Sequence, residues 1–487
     1  MIPCGKRIPE SEHAVSMSLP TLRDVIGYEE KSAEVIAHIC SGYPRFVRHW
    51  TVERVQSLLR GSRGCPGEVV ALHDAAACVR LSAFLGCDLD VLEGLPFGAV
   101  VLPADGDGAL LAQARCFQQH TGLMLSSRQA EDFLIAAGHL AQAQPESLYE
   151  GADPGGAVRA VLSGLYGVRE DCIGLYPSGM NAYFSVFDAL NRVQRLAGRG
   201  IWLEAGWLYL DTTAILDRFS TGHVHFQASA ADSIESYVAA NHDRMAGITT
   251  EVMTNPLLNT PDLVRLSALA RRYGLPLIVD TSMPTPVNVD VFPYADAVVE
   301  SLTKFASGHA DVMSGAAVFN DSSEWGRRLK DEAIRGCPYE RDLRRVAHSI
   351  QGYSARMRTI NANAAALTAF FRASRKVRET HWAGQPDSVL SYDALRRDDG
   401  GYGGVVSVVF EKPLAAVYDR LELCKGPSFG TEFTLCMAYV YMAHYDLVTT
   451  AAGRSRLRAD GIDPELLRIS VGMEPVGDLI RAFEAVM

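Results

Sequence analysis

From residue 160 onward the spacing of apolar positions switches period several times, and each switch predicts a new element. Apolar residues recur at helical spacing over 181–196, 211–219 and 261–273, while short apolar runs over 200–204, up to Glu251 and over 275–279 predict strands. Strands alternating with helices predict a mostly parallel, doubly wound α/β sheet. Asn259-Thr260-Pro261-Asp262 offers a helix N-cap with Pro at the first helical position, and Gly274 follows the last turn as a C-cap. After residue 320 come a charged helix over 325–335, a long helical pattern over 341–371 and a strand over 404–410, predicting a smaller C-terminal α+β unit. Residues 60–170 are less regular, with a loop at Gly61-Ser62-Arg63-Gly64 and apolar stretches broken by Pro96, Pro103 and an Asp105-Gly106-Asp107-Gly108 turn. No chemistry is legible there.

Composition narrows the class of protein. The 487 residues allow two to four domains, and 48% hydrophobic with 21% charged residues excludes disorder as the main state. With 46 Lys+Arg against 57 Asp+Glu, the net charge of −11 supplies no overall attraction to nucleic acid or an anionic membrane. Ten scattered cysteines, without a C-x-x-C or a His pair at zinc spacing, read as reduced thiols rather than a metal site. The first 20 residues lack the apolar run of a signal peptide, and the longest apolar candidate, 433–443, is too short to span a bilayer and reads as a buried helix. No repeat of 20 to 50 residues is visible. The expectation is a cytoplasmic protein that binds neither nucleic acid nor membrane.

The richest chemistry lies in Glu300-Ser301-Leu302-Thr303-Lys304 and Gly308-His309-Ala310-Asp311. A lysine beside two hydroxyls and small residues suits a Schiff-base lysine with phosphate-binding neighbours, or else a surface lysine in a loop. The strand over 275–279 ends in Asp280, where a doubly wound sheet places ligand-binding groups. That carboxylate could pair with a protonated pyridine nitrogen, or cap a turn. Ser178-Gly179-Met180 opens a helix whose free N–H groups attract phosphate, though Ser-Gly is also ordinary capping chemistry. Glu251 to Pro256 puts an acid and an amide at another strand end, as a polar turn would too.

Taken in order, Ser178-Gly179-Met180, Tyr209, Thr254-Asn255-Pro256, Val279-Asp280, Ser301-x-Thr303-Lys304 and Gly308-His309-Ala310-Asp311 resemble the Cys/Met-metabolism family of pyridoxal-phosphate (PLP) enzymes. The match runs from about residue 160 to the end. The segment beginning Ala14-Val15-Ser16-Met17, with 41–45, 425–436 and 468–473, further resembles the long fungal cystathionine γ-synthase branch, which also carries an insertion before Ser-Gly-Met. The resemblance implies a PLP-dependent transferase type I fold, similar to aspartate aminotransferase, with an N-terminal arm over 1–60, a large cofactor domain over 61–320 interrupted by an insertion at about 61–165, and a small domain over 321–487.

It also implies roles for individual residues. Lys304 would be the Schiff-base lysine, Asp280 would meet the pyridine nitrogen, Tyr209 would stack on the ring and Asn255 would bond its hydroxyl. Ser178, Gly179, Met180, Ser301 and Thr303 would hold the phosphate, joined by Tyr43 and Arg45 from a neighbouring subunit of a homodimer or homotetramer. Ser428 and Arg468 would fix the substrate carboxylate, for which a bidentate guanidinium is suited, although Arg468 alone reads equally as a strand-face ion pair. The implied reaction on small amino-acid substrates is γ-replacement on an O-acyl-L-homoserine with cysteine as nucleophile. Alternatives are a carbon nucleophile, such as an enolisable keto acid, and γ-elimination.

Three departures bear on specificity. Tyr209-Leu210-Asp211-Thr212 stands where much of the family has Tyr-Gly-Gly-Thr, and Asp280-Thr281-Ser282 stands where Asp-Asn-Thr is common. Glu432 occupies a position where Asn is expected, and an acid there is expected to alter the pocket of the incoming nucleophile.

Overall fold

The computed structural model describes residues 2–103, 108–333 and 336–487. The Asp105-Gly106-Asp107 part of the expected turn and positions 334–335 of the expected helix lie outside the described residues. The centre is a seven-stranded sheet: β1 (Ile173–Tyr176), β2 (Ile201–Ala205), β3 (Gly222–Phe226), β4 (Met245–Glu251), β5 (Leu277–Asp280), β6 (Ala297–Ser301) and β7 (Gly315–Phe319), in the order β1-β7-β6-β5-β4-β2-β3. Only β7 runs antiparallel to its neighbours. Strands such as β4 and β7 are apolar along most of their length because helices cover both faces, so neither face needs polar residues. One face packs on the helix Gly179–Leu196, which buries Phe184, Phe187 and Leu190 against Trp202 and Phe319. In the register, Asp280 pairs with Glu251, which sets two carboxylates side by side at the carboxyl edge.

A second sheet follows: β8 (Val377–His381), β9 (Val405–Phe410), β10 (Cys424–Lys425), β11 (Leu435–Ala438) and β12 (Leu467–Ser470), in the order β8-β9-β12-β11-β10. The apolar run 433–443 is therefore a strand followed by the short helix Tyr439–Ala443, not one buried helix. Pairing of Leu435 to Ala438 with β12 overrides the helical reading of a run too short to settle its period. The expected helix over 341–371 is two helices, Glu340–Ser349 and Tyr353–Ala373, joined by a 3-10 turn ending at Gly352. The helix Leu263–Tyr273 is capped by the Asp262 side chain, so Pro261 lies outside it, whereas Gly274 takes the left-handed C-cap as expected. The large core includes Met357 and Ile360 while the small core includes Leu367 and Phe371. The two cores thus meet within the helix Tyr353–Ala373, downstream of the boundary expected near 320.

The less regular region is a compact subdomain that begins earlier than expected. The helix Trp50–Ser62 packs through Val52, Val55 and Leu59 on a small antiparallel sheet of Val69–Leu72, Gly98–Val101 and Asp90–Val91. Helices Ala75–Leu85, Ala109–Thr121 and Ser127–Ala136 complete it, while Pro154–Tyr166 belongs to the large core. The arm before it straps the molecule: Val15 donates to the Ala310 carbonyl, Leu19 to the Lys425 carbonyl, and Leu22 and Val25 enter the small core.

A buried charge network docks the subdomain. Arg128 donates to Glu146, to Asp342 (3.2 Å) and to the Asp311 carbonyl, while Arg341 reaches Glu131, Asp132 and Glu146. Removing one partner of a buried pair strands the other charge, so Arg128→Ala is expected to cost about 3–5 kcal/mol, read as a lower Tm and faster proteolysis of residues 50–145. Unchanged proteolysis would show the network to be dispensable. Glu131 lies against His13 and Arg341; burial opposes its charge, but these partners prevail and hold its pKa at about 2, below the usual 4.5. A depressed carboxylate stabilises above its unfolded pKa and loses that contribution as pH falls. Glu131→Gln should therefore flatten the loss of stability between about pH 4.5 and 2, measured by thermal melts across that window.

Candidate active site

At the carboxyl edge of the large sheet, where such folds place ligand-binding groups, lies a cavity of about 840 Å³. β4 delivers Glu251, β5 delivers Asp280, and the turn after β6 delivers Lys304. The small domain supplies Arg468 from β12 and Ser428 from the loop before β11. That loop sits directly on the lysine: Gly430 has φ +80°, and a Cβ there would lie 2.6 Å from the Phe305 nitrogen and 2.8 Å from the Lys304 carbonyl carbon.

Ser428 joins the two principal cations. Lys304 Nζ donates to its Oγ at 2.7 Å, and an Arg468 nitrogen donates to its carbonyl at 2.8 Å. Ser428 holds φ +93°, a left-handed conformation that disfavours a side chain, so local strain accompanies this bridge. Arg468 also donates to Asn255 Oδ1 (3.1 Å) and lies over the Tyr439 ring, and among the described residues no carboxylate pairs with it. Burial lowers its pKa to about 10, which still leaves it charged at neutral pH. Burial also lowers the pKa of Lys304, and the Arg45 and Arg468 charges add to that shift.

The acids shift the other way. Burial raises the Asp280 pKa against the Ser282 N–H that donates to it at 2.7 Å, and Glu251 is raised well above the usual range by burial and by the Asp280 charge. Neighbouring buried carboxyls share a proton more readily than they both ionise. Glu251 accepts from the Tyr209 backbone N–H.

Most sequence-predicted residues converge here. Gly179, Met180, Tyr209, Asn255, Asp280, Ser301, Lys304, Ser428, Arg468, Tyr43 and Arg45 all line the cavity. In this chain Tyr43 and Arg45 line the cavity, on a stretch of the arm between the segment strapped by Val15 and Leu19 and the helix Trp50–Ser62. The Tyr43 ring stands 4.5 Å from Lys304 Nζ, and Arg45 donates to Tyr209 Oη at 2.6 Å. Burial opposes ionisation of the Tyr43 phenol, but the Lys304 and Arg45 charges outweigh it and lower its pKa.

Three predicted residues do not line the cavity. Ser178 caps its helix by accepting from the Asn181 N–H, and the Thr303 hydroxyl exchanges hydrogen bonds with the Ser314 backbone. Glu432 does not line the cavity; its backbone bonds to Gly308 and Met473 turn it outward, where it meets His309 at 3.0 Å. It is thus removed from the nucleophile pocket assigned to it.

Sequence reasoning missed the roof. Arg115, Gln118, Gln119, Met124 and Leu125 of the inserted subdomain line the same cavity, and their only sequence signal was irregularity. It also missed Ser282, which accepts from the Ser301 N–H at 2.7 Å while donating to Asp280, a role visible only once β5 and β6 are adjacent.

The geometry fits PLP. A Cβ on Gly179 would stand 2.6 Å from Ser301 Cβ, so only glycine leaves open the cradle between the helix N-terminus and Ser301 where a phosphate is favoured. A lysine with a lowered pKa, a strand-end carboxylate and an aromatic ring complete the set. Fold and site together define a PLP enzyme of the type I class. Residues 158–487 match the family model described as Cys/Met metabolism PLP-dependent enzyme, and the chain belongs to that family. It is 40% identical to the L-2-amino-4-chloropent-4-enoate dechlorinase/desaturase of Streptantibioticus cattleyicolor, covering 96% of this chain and 94% of that one. It is 29% identical to the cystathionine γ-synthase of Neurospora crassa, over 98% and 97% of the two chains. Among solved structures, Xanthomonas oryzae cystathionine γ-synthase shares the fold with a TM-score of 0.59 at 22% identity, over 71% of this chain and 91% of the other.

Borohydride reduction of the PLP-loaded protein is expected to leave the cofactor's mass on the peptide carrying Lys304, and Lys304→Ala is expected to lose both that label and all turnover. A label on a different lysine would overturn the assignment.

Proposed function

We propose that this enzyme catalyses γ-elimination on a small L-α-amino acid bearing a leaving group, such as a halide, at Cγ. The observation that carries the reading is the Ser428 bridge: a guanidinium with no acidic partner among the described residues and the lysine amine are both anchored on one residue, which sets a carboxylate-binding group beside a base. PLP, when bound, supplies the sink for the electron pair left on carbon.

The chain's own groups supply the rest. Arg468 takes the substrate carboxylate, with Asn255 fixing the guanidinium plane. Lys304, whose protonated form burial disfavours, is the amine placed to remove the α-proton and then to carry protons between carbons. Asp280 is placed to hold a proton on the cofactor nitrogen, while Glu251 carries the proton the pair shares. Loss of a second proton from Cβ expels the leaving group from Cγ with its bonding electrons, and Lys304 returns a proton to carbon. For a γ-chloro amino acid the net change is loss of HCl. Met124, Met253, Met283, Met313, Met437 and Met442 line the cavity with soft, polarizable sulfur, a wall suited to an apolar or halogenated side chain. The Streptantibioticus relative, named for a chloro amino acid, supports the same choice.

A second reading is γ-replacement on an O-acyl-L-homoserine by cysteine or a carbon nucleophile. Arg48 and Arg115 favour it: both line the cavity and repel each other, and although the Glu53 and Glu68 charges offset part of this at Arg48, neither arginine is in an ion pair among the described residues, which suits an incoming carboxylate. The test is mass spectrometry and chloride assay with L-2-amino-4-chloropent-4-enoate, run beside O-acetyl-L-homoserine with L-cysteine or a β-keto acid. Chloride release with loss of HCl from the amino acid is expected. Cystathionine or a carbon-linked amino acid without chloride release would replace the first reading with the second.

A further inference from the structure

The departure at Asp211, a carboxylate where much of the family has glycine, acquires a partner set in the fold. Asp211 sits in the first turn of the helix Leu210–Phe219 and is fully buried. Three separate parts of the chain converge on it. Arg45 of the arm donates to Oδ2 at 2.5 Å, the Tyr209 hydroxyl donates to the same oxygen at 3.2 Å, and Gln119 of the insertion donates from Nε2 to Oδ1 at 2.8 Å. His120 Nε2 stands 3.7 Å from Oδ1, and Arg45 also donates to the Gln119 carbonyl at 2.9 Å.

We propose that Asp211 is a positioning residue through which the inserted subdomain fixes Arg45 and Tyr209 against the cofactor. A buried carboxylate is stable only with its lone pairs engaged. Here Arg45 satisfies one oxygen and the insertion the other, so the carboxylate cannot shift without breaking a bond on each side. Arg45 and Tyr209 are themselves joined at 2.6 Å, so orienting the guanidinium orients the phenol. If the insertion withdraws, Asp211 loses Gln119 and His120, Arg45 loses a carbonyl acceptor, and the cofactor wall loosens. The inference rests on the proposed placement of PLP against Arg45 and Tyr209. It does not depend on which reaction the site performs.

Its test is a double-mutant cycle read as the dissociation constant for PLP, measured by fluorescence titration, with circular dichroism and elution volume confirming the fold. Gln119→Glu sets a second carboxylate against Asp211 and is expected to weaken PLP binding about tenfold or more, as is Asp211→Asn. The double variant Gln119→Glu with Asp211→Asn restores one donor and one acceptor across the contact, and is expected to bind within about threefold of the parent. Unchanged affinity in both single variants, or strictly additive losses in the double, would overturn the coupling. Arg45→Ala separates the two premises, since unchanged affinity there would overturn the placement of PLP itself.

Discussion

Lys304 is held where its charge is disfavoured, and each major part of the chain contributes to that constraint. The large sheet carries the lysine on a turn after β6, the small domain brings Arg468 and Ser428, and the arm brings Arg45. Burial and two nearby guanidinium charges all favour the neutral amine. These surroundings favour the unprotonated amine, and the same positive charge would suit a carboxylate or a phosphate. On the proposed reading, one electrostatic arrangement would serve both binding and proton transfer.

The rest of the fold can be read as the means of keeping these charges together. Buried arginines need acceptors, and the chain provides a carbonyl and an amide at Arg468 but a carboxylate at Arg45. The difference has a chemical consequence. Arg468 keeps unspent positive charge for a ligand, whereas Arg45 is already neutralised by Asp211 and acts through its fixed direction. Away from the cavity, the Arg128 and Arg341 network has the same character, with forked guanidinium groups tying the insertion to the large domain.

The large sheet was legible because strands buried on both faces and helices with one apolar face carry their period in the sequence. The helix Gly179–Leu196, the left-handed cap at Gly274 and the strand ending in Asp280 all follow from local pattern. Lys304 and Asp280 were found from local chemistry and strand position, and Arg468 through a family resemblance that gave it a context. What escaped was set by contacts distant in sequence. The run 433–443 is a strand because β12 pairs with it, and Glu432 faces outward because Gly308 and Met473 hold its backbone. The roof over the cavity was illegible since Gln119 and Met124 carry no motif and gain meaning only when the insertion folds back.

That roof bears on how an elimination could be favoured. A site that accumulates negative charge on carbon works best where water is scarce, since fixed charges act more strongly when they are not screened. A short connection between the arm and the large domain would leave the cavity open on the side of Arg45. The insertion closes that side with Gln119, Met124 and Leu125, and it is anchored at both ends of the wall, by Gln119 on Asp211 and by Arg128 on Asp342. Two anchors fix a surface against tilting where one would leave a hinge. The apolar wall and the charged floor are therefore held at a constant separation, which makes the inserted subdomain part of the cavity wall rather than an appendage to it.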